Sequence, residues 1–259
     1  MPYAKPWIDP TATPFSAVSS TKSRRDSMNR KIDVIDSDSY AQEVTERITQ
    51  ALNQRDKSQP FHFFLSGGST PKVVYAGLAE TVDSWENVHL WWGDERFVPH
   101  DHADSNFRMV REQLLSRAEI PSPQVHPWPI LSTPELSAET YDREFRDFFV
   151  EQGHSLSLQL LGMGDDGHTA SLFPGTNALE ETEKFCVRNV VEGKESVRLS
   201  LTYPALEMSE RVVFLVKGAG KSDAVVRVLE RGEDPAGRVK ARGPVEFWLD
   251  SEAAAKLSK

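Results

Sequence analysis

From Lys31 onward, short apolar runs alternate with segments whose apolar residues recur at helical spacing. Most of the short runs end in glycine or charged residues. Uninterrupted apolar runs of this length are typical of strands that are buried on both faces of a sheet. The predicted strands cover 61–65, 88–92, 125–130, 156–161, 185–191, 197–202, 211–216 and 245–249. The predicted helices cover 38–56, 71–79, 107–115, 141–149 and 221–231. This order predicts an α/β fold, in which a single domain has a mostly parallel sheet with helices on both faces.

The composition restricts the class of partner and the compartment. The net charge of −9 disfavours nucleic acid or an anionic bilayer as the main partner. No apolar stretch reaches the roughly 18 residues that a membrane span requires. Cys186 is the only cysteine, which excludes an internal disulfide and fits a reducing compartment. We therefore expect a cytoplasmic protein with no membrane and no nucleic acid partner.

Residues 1–30 differ from the rest of the chain. They are rich in Pro, Ser and Thr, contain several basic residues, and have neither a clear periodicity nor the hydrophobic core of a secretory signal. We expect a flexible N-terminal extension over 1–30 and a single domain over 31–259. An organelle-targeting peptide is a weaker alternative, because Asp9 and Asp26 are acidic.

The first candidate site is the loop Gly67-Gly68-Ser69-Thr70, which joins a predicted strand to a predicted helix. Its glycines allow backbone N–H groups to turn toward an anion, and the N-terminus of the helix adds partial positive charge. The spacing matches neither the dinucleotide fingerprint nor the nucleotide P-loop, so NAD and ATP are disfavoured. Taken alone, the loop is equally compatible with an ordinary strand-to-helix turn.

The second candidate site is Asp94-Glu95-Arg96, directly after the predicted strand 88–92. Three charged residues in a row are not expected in a core, so we predict a loop here. Arg96 offers a planar fork of donors to a phosphate or carboxylate, and Asp94 is suited to hold a hydroxyl or orient a base. Asn106, just inside the next helix, is a weaker candidate for a polar contact. The alternative is a solvated loop with a local ion pair.

The third candidate site is a glycine-rich turn after the predicted strand 156–161. Three glycines fall within six residues there, and Asp166 and His168 lie among them. Histidine is the residue type that exchanges a proton near neutral pH. A structural turn whose histidine caps a helix is the alternative for an isolated Asp-Gly-His.

The fourth candidate is Lys221, which follows the predicted strand 211–216 and two glycines. A lysine at the start of a helix is a plausible phosphate ligand, although most such lysines have no such role. The four candidates share one placement, because each follows a predicted strand and precedes a helix. In a parallel sheet they gather at one edge, where open α/β folds bind ligands. Together they indicate a sugar-phosphate pocket with one proton-transfer residue.

The same stretches resemble the 6-phosphogluconolactonases. The matching segments, in order within residues 31–250, are 65–71, 92–99, 105–106, 161–175, 199–202 and 214–221. The segment Gly-His-Thr-Ala-Ser-Leu-Phe-Pro-Gly at 167–175 is highly specific. The resemblance implies hydrolysis of 6-phosphoglucono-1,5-lactone to 6-phosphogluconate in the pentose phosphate pathway, without a required metal or organic cofactor. It also implies the modified Rossmann-like sheet shared with glucosamine-6-phosphate deaminase and ribose-5-phosphate isomerase.

The deaminase is the nearest alternative, because it resembles this chain at the same loops. In the deaminases a glutamate of the catalytic relay stands five residues after the histidine, where this chain has Phe173. The deaminases also have an aromatic residue at the position that Arg96 occupies in this chain. A non-catalytic sugar-phosphate sensor is an alternative from another class, but such a protein has no need for His168 beside Asp166. We therefore favour the lactonase.

The predicted mechanism has one acid–base residue and a remote anchor. Neutral His168 accepts a proton from water as it attacks the lactone carbonyl, and either Asp166 or Asp94 orients the imidazole. The anchor consists of the predicted ligands of the substrate, with phosphate as the main target: Gly67, Gly68, Ser69, Thr70, Arg96, Asn106 and Lys221. A serine nucleophile is rejected, since no Gly-x-Ser-x-Gly elbow is present. We expect a monomer or a small homo-oligomer that acts on a phosphorylated sugar lactone.

Overall fold

The computed structural model describes residues 30–258. The strands are β1 (Arg30–Ile35), β2 (Phe61–Leu65), β3 (Val88–Trp92), β4 (Asp94–Arg96), β5 (Val125–His126), β6 (Leu158–Leu161), β7 (Cys186–Asn189), β8 (Arg198–Leu201), β9 (Val212–Val216) and β10 (Val245–Asp250). The helices are α1 (Tyr40–Asn53), α2 (Ser69–Thr81), α3 (Asn106–Val110), α4 (Pro134–Arg146), α5 (Tyr203–Glu207), α6 (Ser222–Glu230) and α7 (Asp234–Gly237). One π-helical turn follows α3 and another follows α4.

The main sheet of the described residues has seven parallel strands in the order β1-β10-β9-β6-β2-β3-β5. Strands β6, β9 and β10 are buried at every position, so both faces of the sheet are covered. The buried apolar side chains form one cluster around this sheet. The predicted α/β fold with a mostly parallel sheet is confirmed.

The direction in which strands are added reverses between β2 and β6. From β2 the chain adds β3 and β5 on one side, and from β6 it adds β9 and β10 on the other. Ligands of open α/β sheets bind outside the carboxyl ends of the strands at such a reversal. The loops after β2 and β6 carry the first and third candidate sites, which therefore lie at the expected binding position.

A second sheet corrects the sequence analysis. Strands β4, β8 and β7 form a three-stranded antiparallel sheet, so the segments predicted at 185–191 and 197–202 are not part of the main sheet. Asp94–Arg96 is a strand and not a loop, and Gly93 alone separates it from β3. Its partner β8 lies about 100 residues further along the sequence, and no local pattern in a three-residue strand indicates such a pairing.

Strand β1 was not predicted, and it begins inside the segment assigned to an extension. Arg30 is its first residue, and the other residues of the predicted extension lie outside the described part of the chain. Strand β1 is at the edge of the sheet, where Ile32 and Val34 are about half exposed. An edge strand with little burial lacks the apolar run by which the central strands were recognised.

The boundaries of two other elements differ from the predicted ones. The predicted strand 125–130 is paired only at Val125–His126, and the helix predicted at 141–149 begins at Pro134. Thr133 accepts a hydrogen bond from the Leu136 amide and caps this helix, with proline in its first turn. Among residues 30–258, no helix has the length and apolar character of a membrane span.

Candidate functional site

The loop after β2 approaches the start of α3 closely. A Cβ atom at Gly67 would lie 2.0 Å from Oδ1 of Asn106, so any other residue at this position would displace the Asn106 side chain. Gly68 has a φ of 112°, in the region that favours glycine, and α2 begins at the next residue. The N-terminus of α2, with Ser69 and Thr70 in its first turn, therefore opens toward the carboxyl edge of the sheet.

Asp94 is the centre of a buried hydrogen-bond network. Its Oδ2 accepts a hydrogen bond of 2.7 Å from the Ser171 hydroxyl. The side-chain amide of Asn106 donates to the carbonyl oxygen of Asp94 at 3.0 Å and to its Oδ1 at 3.3 Å. These contacts join β4, α3 and the turn after β6. Asp94 makes no hydrogen bond to His168 among those of the described residues.

Glu95 contradicts the expectation that three successive charged residues avoid the core. Its side chain is only 1 % exposed. The carboxylate accepts hydrogen bonds from the backbone N–H groups of Arg96, Asn106 and Phe107 at 2.7 to 2.8 Å, and from the Ser105 hydroxyl at 3.1 Å. Burial raises the pKa of Glu95, and the three backbone amides act against that increase. Glu95 thus joins β4 to the first turn of α3 from below the site.

His168 contacts Asp166 within the glycine-rich turn. Nδ1 of His168 lies 2.6 Å from Oδ1 of Asp166, which also accepts the backbone N–H of His168 at 3.1 Å. Burial acts to raise the pKa of Asp166, but the hydrogen bonds from His168 outweigh it and the pKa falls below its ordinary value. An ionised carboxylate only accepts, so Nδ1 carries the proton and Nε2 is the free nitrogen of the neutral ring.

Two neighbours restrict the position of this imidazole. The Phe173 ring stacks on it with the ring centroids 4.0 Å apart and an interplanar angle of 22°. A Cβ at Gly164 would lie 2.0 Å from the His168 Nδ1, so a side chain at that position would displace the ring. Gly167 has a φ of 75°, in the region that favours glycine. The glycines of this turn therefore leave room for the ring as well as for the backbone.

Three cationic side chains, Arg96, Lys194 and Lys221, belong to the site. The Arg96 guanidinium donates to the Asp104 carbonyl at 2.6 Å, and its Nε is buried without a hydrogen-bond partner. Lys221 lies in a short turn before α6 and forms an ion pair with Asp165. Lys194 lies over the Phe173 ring, with Nζ 5.6 Å from the ring centroid.

A cleft of about 310 Å³ brings the predicted residues together. The predicted residues that line it are Gly67, Gly68, Ser69, Thr70, Asp94, Arg96, Asn106, His168 and Lys221. Asp166 does not line this cleft and contacts the imidazole from outside it. In residues 30–258, no three His, Cys, Asp or Glu side chains are grouped so as to hold a metal ion. The four candidate sites of the sequence therefore form one site, whose polar groups include a histidine, the Asp94 carboxylate and several cations.

Several residues that line the cleft were not predicted as ligands, among them Ser171, Lys194 and Arg198. Arg198 and Ser200 alternate with Leu199 and Leu201 in β8, and this alternation indicates a strand with one polar face. The matched segment 199–202 began one residue after Arg198. Lys194 lies in the connection between β7 and β8, and it had no sequence signal.

The fold and the cleft define an α/β protein that gathers a histidine and several cations at the point where its sheet reverses direction. Residues 35–248 match the sequence model of the family described as glucosamine-6-phosphate isomerases/6-phosphogluconolactonase. The chain belongs to this family.

Similar proteins agree with this assignment. The chain is 41 % identical to the 6-phosphogluconolactonase of Synechocystis sp. over 222 residues, which cover 83 % of this chain and 90 % of that one. The crystal structure of 6-phosphogluconolactonase from Thermotoga maritima superposes with a TM-score of 0.75 at 31 % identity, covering 86 % of this chain and 100 % of that one. A monomeric glucosamine-6-phosphate deaminase has a TM-score of 0.72 at 20 % identity, covering 87 % and 99 %, which is a likeness of fold alone.

Proposed function

We propose that this protein hydrolyses 6-phosphoglucono-1,5-lactone to 6-phosphogluconate, a step in the oxidative branch of the pentose phosphate pathway. The observation that carries the proposal is the contact between His168 and Asp166 at a cleft that Arg96 and Lys221 also line. The relatives named 6-phosphogluconolactonase, at up to 41 % identity over most of the chain, support the same reaction.

The imidazole of His168 acts as the general base. Because Asp166 accepts a hydrogen bond from the Nδ1–H group, Nε2 has the lone pair that takes a proton from water. The water oxygen forms a bond to C1 while its proton moves to Nε2. The C1–O5 bond then breaks, and the proton on Nε2 passes to the ring oxygen that leaves. The acid formed at C1 loses its proton to solvent.

The cations of the cleft have two effects. Those near the carbonyl stabilise the negative charge that develops on its oxygen during water attack. Arg96, Lys221 and the N-terminus of α2 bind the phosphate at the other end of the sugar. Binding that phosphate holds C1 at a fixed position near His168, which lowers the entropic cost of the reaction. The two ends of the substrate therefore depend on different residues.

Phe173 supports the lactonase over the deaminase. It stacks directly on His168, so the imidazole has an aromatic ring where a relay carboxylate is needed for amine loss. The cleft accordingly has an acid–base residue for ester hydrolysis but no second acid against that face of the ring. A non-catalytic sensor is disfavoured by the contact of His168 with Asp166, which a purely binding role does not require.

The reaction is assigned to the cytoplasm, in a monomer or a small homo-oligomer. Cys186 is buried and has no second cysteine to pair with, in keeping with the reducing compartment that we propose.

The deciding experiment is a coupled assay with freshly prepared 6-phosphogluconolactone, in which 6-phosphogluconate is measured and spontaneous hydrolysis is subtracted. We expect enzyme-dependent product at a rate proportional to protein concentration. A second reaction with glucosamine 6-phosphate is followed by release of ammonia, and we expect none. Ammonia release without lactone hydrolysis would identify a deaminase, and turnover of neither substrate would favour a sensor.

A further inference from the structure

Arg96 and Arg198 lie directly opposite each other in the antiparallel ladder between β4 and β8. Directly opposed residues of an antiparallel pair project from the same face of the sheet, with their Cβ atoms about 5 Å apart. Both side chains line the cleft. Like charges at such positions repel each other, so this pair is unfavourable unless a negative charge offsets it.

No carboxylate of the described residues forms an ion pair with either guanidinium. Arg198 donates through Nη1 to the carbonyl and hydroxyl oxygens of Ser196, and Arg96 donates to a backbone carbonyl. Burial, and then the positive charge of Arg96, lowers the pKa of Arg198. The two arginines are therefore held together in a partly buried site by contacts with neutral groups.

The carboxylates nearest to this pair have other partners or are exposed. The charges that act on Arg198 besides Arg96 are Asp94, Asp104 and Glu95. Asp94 accepts hydrogen bonds from Ser171 and Asn106, while four donors surround Glu95 on the other side of β4. Asp104 is exposed to solvent. The Nε of Arg96 meanwhile is buried without a hydrogen-bond partner.

We propose that Arg198 is a second phosphate ligand and that Arg96 and Arg198 together select substrates with a dianionic phosphate. This inference rests on the proposed function and adds the residue that determines charge selectivity. Two planar guanidinium groups offer several N–H donors to the three terminal oxygens of a phosphate ester. A dianion cancels both positive charges, whereas a monoanion or a neutral hydroxyl does not.

Lys221 contributes less to this selectivity. Its ammonium already forms an ion pair with Asp165, so the two side chains together carry no net charge. The arginine pair supplies two positive charges that no ion pair with a described carboxylate cancels. Arg96 and Arg198 therefore contribute more than Lys221 to the attraction for a second negative charge on the phosphate.

The experiment measures thermal unfolding of the full chain with and without inorganic phosphate. The variants are Arg198→Ala, Arg198→Lys and the control Arg188→Ala. Arg188 belongs to the same small sheet, but it pairs with Leu199 in the ladder and forms an ion pair with Glu135. We expect phosphate to raise the Tm of the wild type and of the control, because a ligand of the native state stabilises it.

The two Arg198 variants are expected to lose phosphate affinity to different extents. Arg198→Ala should bind phosphate about 10- to 100-fold more weakly, the effect of losing a charged hydrogen-bonding partner. Without phosphate its Tm should be no lower than that of Arg188→Ala, because the repulsion with Arg96 is removed. Arg198→Lys keeps the charge but lacks the planar fork, so its loss should be intermediate. If Arg198→Ala does not fold, Arg198→Lys decides the question.

Kinetics separate this role from a merely structural one. Arg198→Ala should raise KM for the phosphorylated lactone and lower its kcat/KM far more than it lowers kcat/KM for unphosphorylated glucono-1,5-lactone. Equal phosphate responses in the wild type and both Arg198 variants would overturn the inference, as would a wild type that phosphate does not stabilise. The phosphate measurements involve no turnover, so failure of the lactonase assay would reject the proposed function and leave this result interpretable.

Discussion

The rings of His168 and Phe173 are stacked with their centroids 4.0 Å apart. This contact places an apolar group against the imidazole whose other edge contacts Asp166. The environment of the imidazole is therefore asymmetric, with a carboxylate at Nδ1 and the Phe173 ring stacked against one face. Residue 173 accordingly decides how many negative charges the histidine experiences.

Phe173→Glu tests this relationship. A carboxylate next to the imidazole favours its protonated form, which is inactive as a base. We expect the acid limb of the pH profile of kcat/KM to move upward by about one pH unit or more, with a corresponding loss of activity at pH 7. Phe173→Leu, which keeps an apolar contact, should retain the wild-type position of that limb. Identical profiles for the two variants would contradict the proposed effect of charge.

His168→Ala should lower kcat by ~10²–10⁴, the range of a positioned acid–base group. The measurement is the coupled assay with phosphorylated lactone, together with the phosphate-induced rise in Tm. Because phosphate binds at the other end of the substrate, the rise in Tm should persist in this variant. Turnover like that of the wild type would remove His168 from the mechanism.

Asp166→Asn and Asp94→Asn distinguish the two carboxylates that the sequence left open. Asp166 contacts the His168 ring, so its amide variant should lower kcat about 10- to 100-fold through loss of a charged hydrogen bond. Its pH profile should change as well, because the charge next to the imidazole is lost. Asp94→Asn disturbs the contacts with Ser171 and Asn106 instead, so the profile should keep its shape. A changed profile in Asp94→Asn alone would reverse the assignment.

The sequence predicted those parts of the fold that depend on local patterns. The runs 61–65, 88–92 and 211–216 are apolar because β2, β3 and β9 are buried in the main sheet, and each prediction is within one residue of the strand. The helix predicted over 38–56 follows from the buried positions Tyr40, Val44 and Ile48 at intervals of four. The convergence of the four loops followed from the parallel arrangement of strands.

Local sequence patterns could not predict the small sheet or the contacts that depend on it. Strand β4 pairs with β8 across about 100 residues of chain, so neither the burial of Glu95 nor the opposition of Arg96 and Arg198 has a signal within either segment. The choice of Asp166 over Asp94 likewise depends on where the turn directs each side chain. Tertiary pairing determines both, and composition and spacing do not specify it.

Glu95→Gln should destabilise the protein by about 2–4 kcal/mol, because an amide cannot accept from all four donors and leaves buried N–H groups unpaired. The free energy of unfolding in urea measures the effect. Glu112→Gln is the control, since Glu112 is exposed and forms only a surface ion pair with Arg108, worth less than about 1 kcal/mol. Comparable losses in the two variants would show that the buried network of Glu95 has no special contribution.

A cluster of four histidines, His62, His89, His126 and His154, predicts loss of stability in acid. Burial, followed by the charges of His89, His154 and His126, lowers the pKa of His62 to about 3. Burial, followed by the charges of His126 and His154, lowers the pKa of His89 to about 4. Unfolded histidine has a pKa of about 6.5, so below that pH the unfolded chain binds protons that the folded chain does not.

The stability that depends on neutral His62 and His89 should therefore be fully present above about pH 6.5. It should be lost as the pH decreases toward 4 and then 3. The contribution of His62 alone approaches ~1.4 kcal/mol per pH unit inside this window. Urea unfolding of the wild type and His62→Gln from pH 7.5 to pH 4.5 measures it. Glutamine does not titrate and its oxygen is able to accept the Trp91 indole N–H, which His62 accepts at 3.0 Å. The variant should show a shallower decrease, and parallel curves would mean that His62 is not kept neutral by the fold.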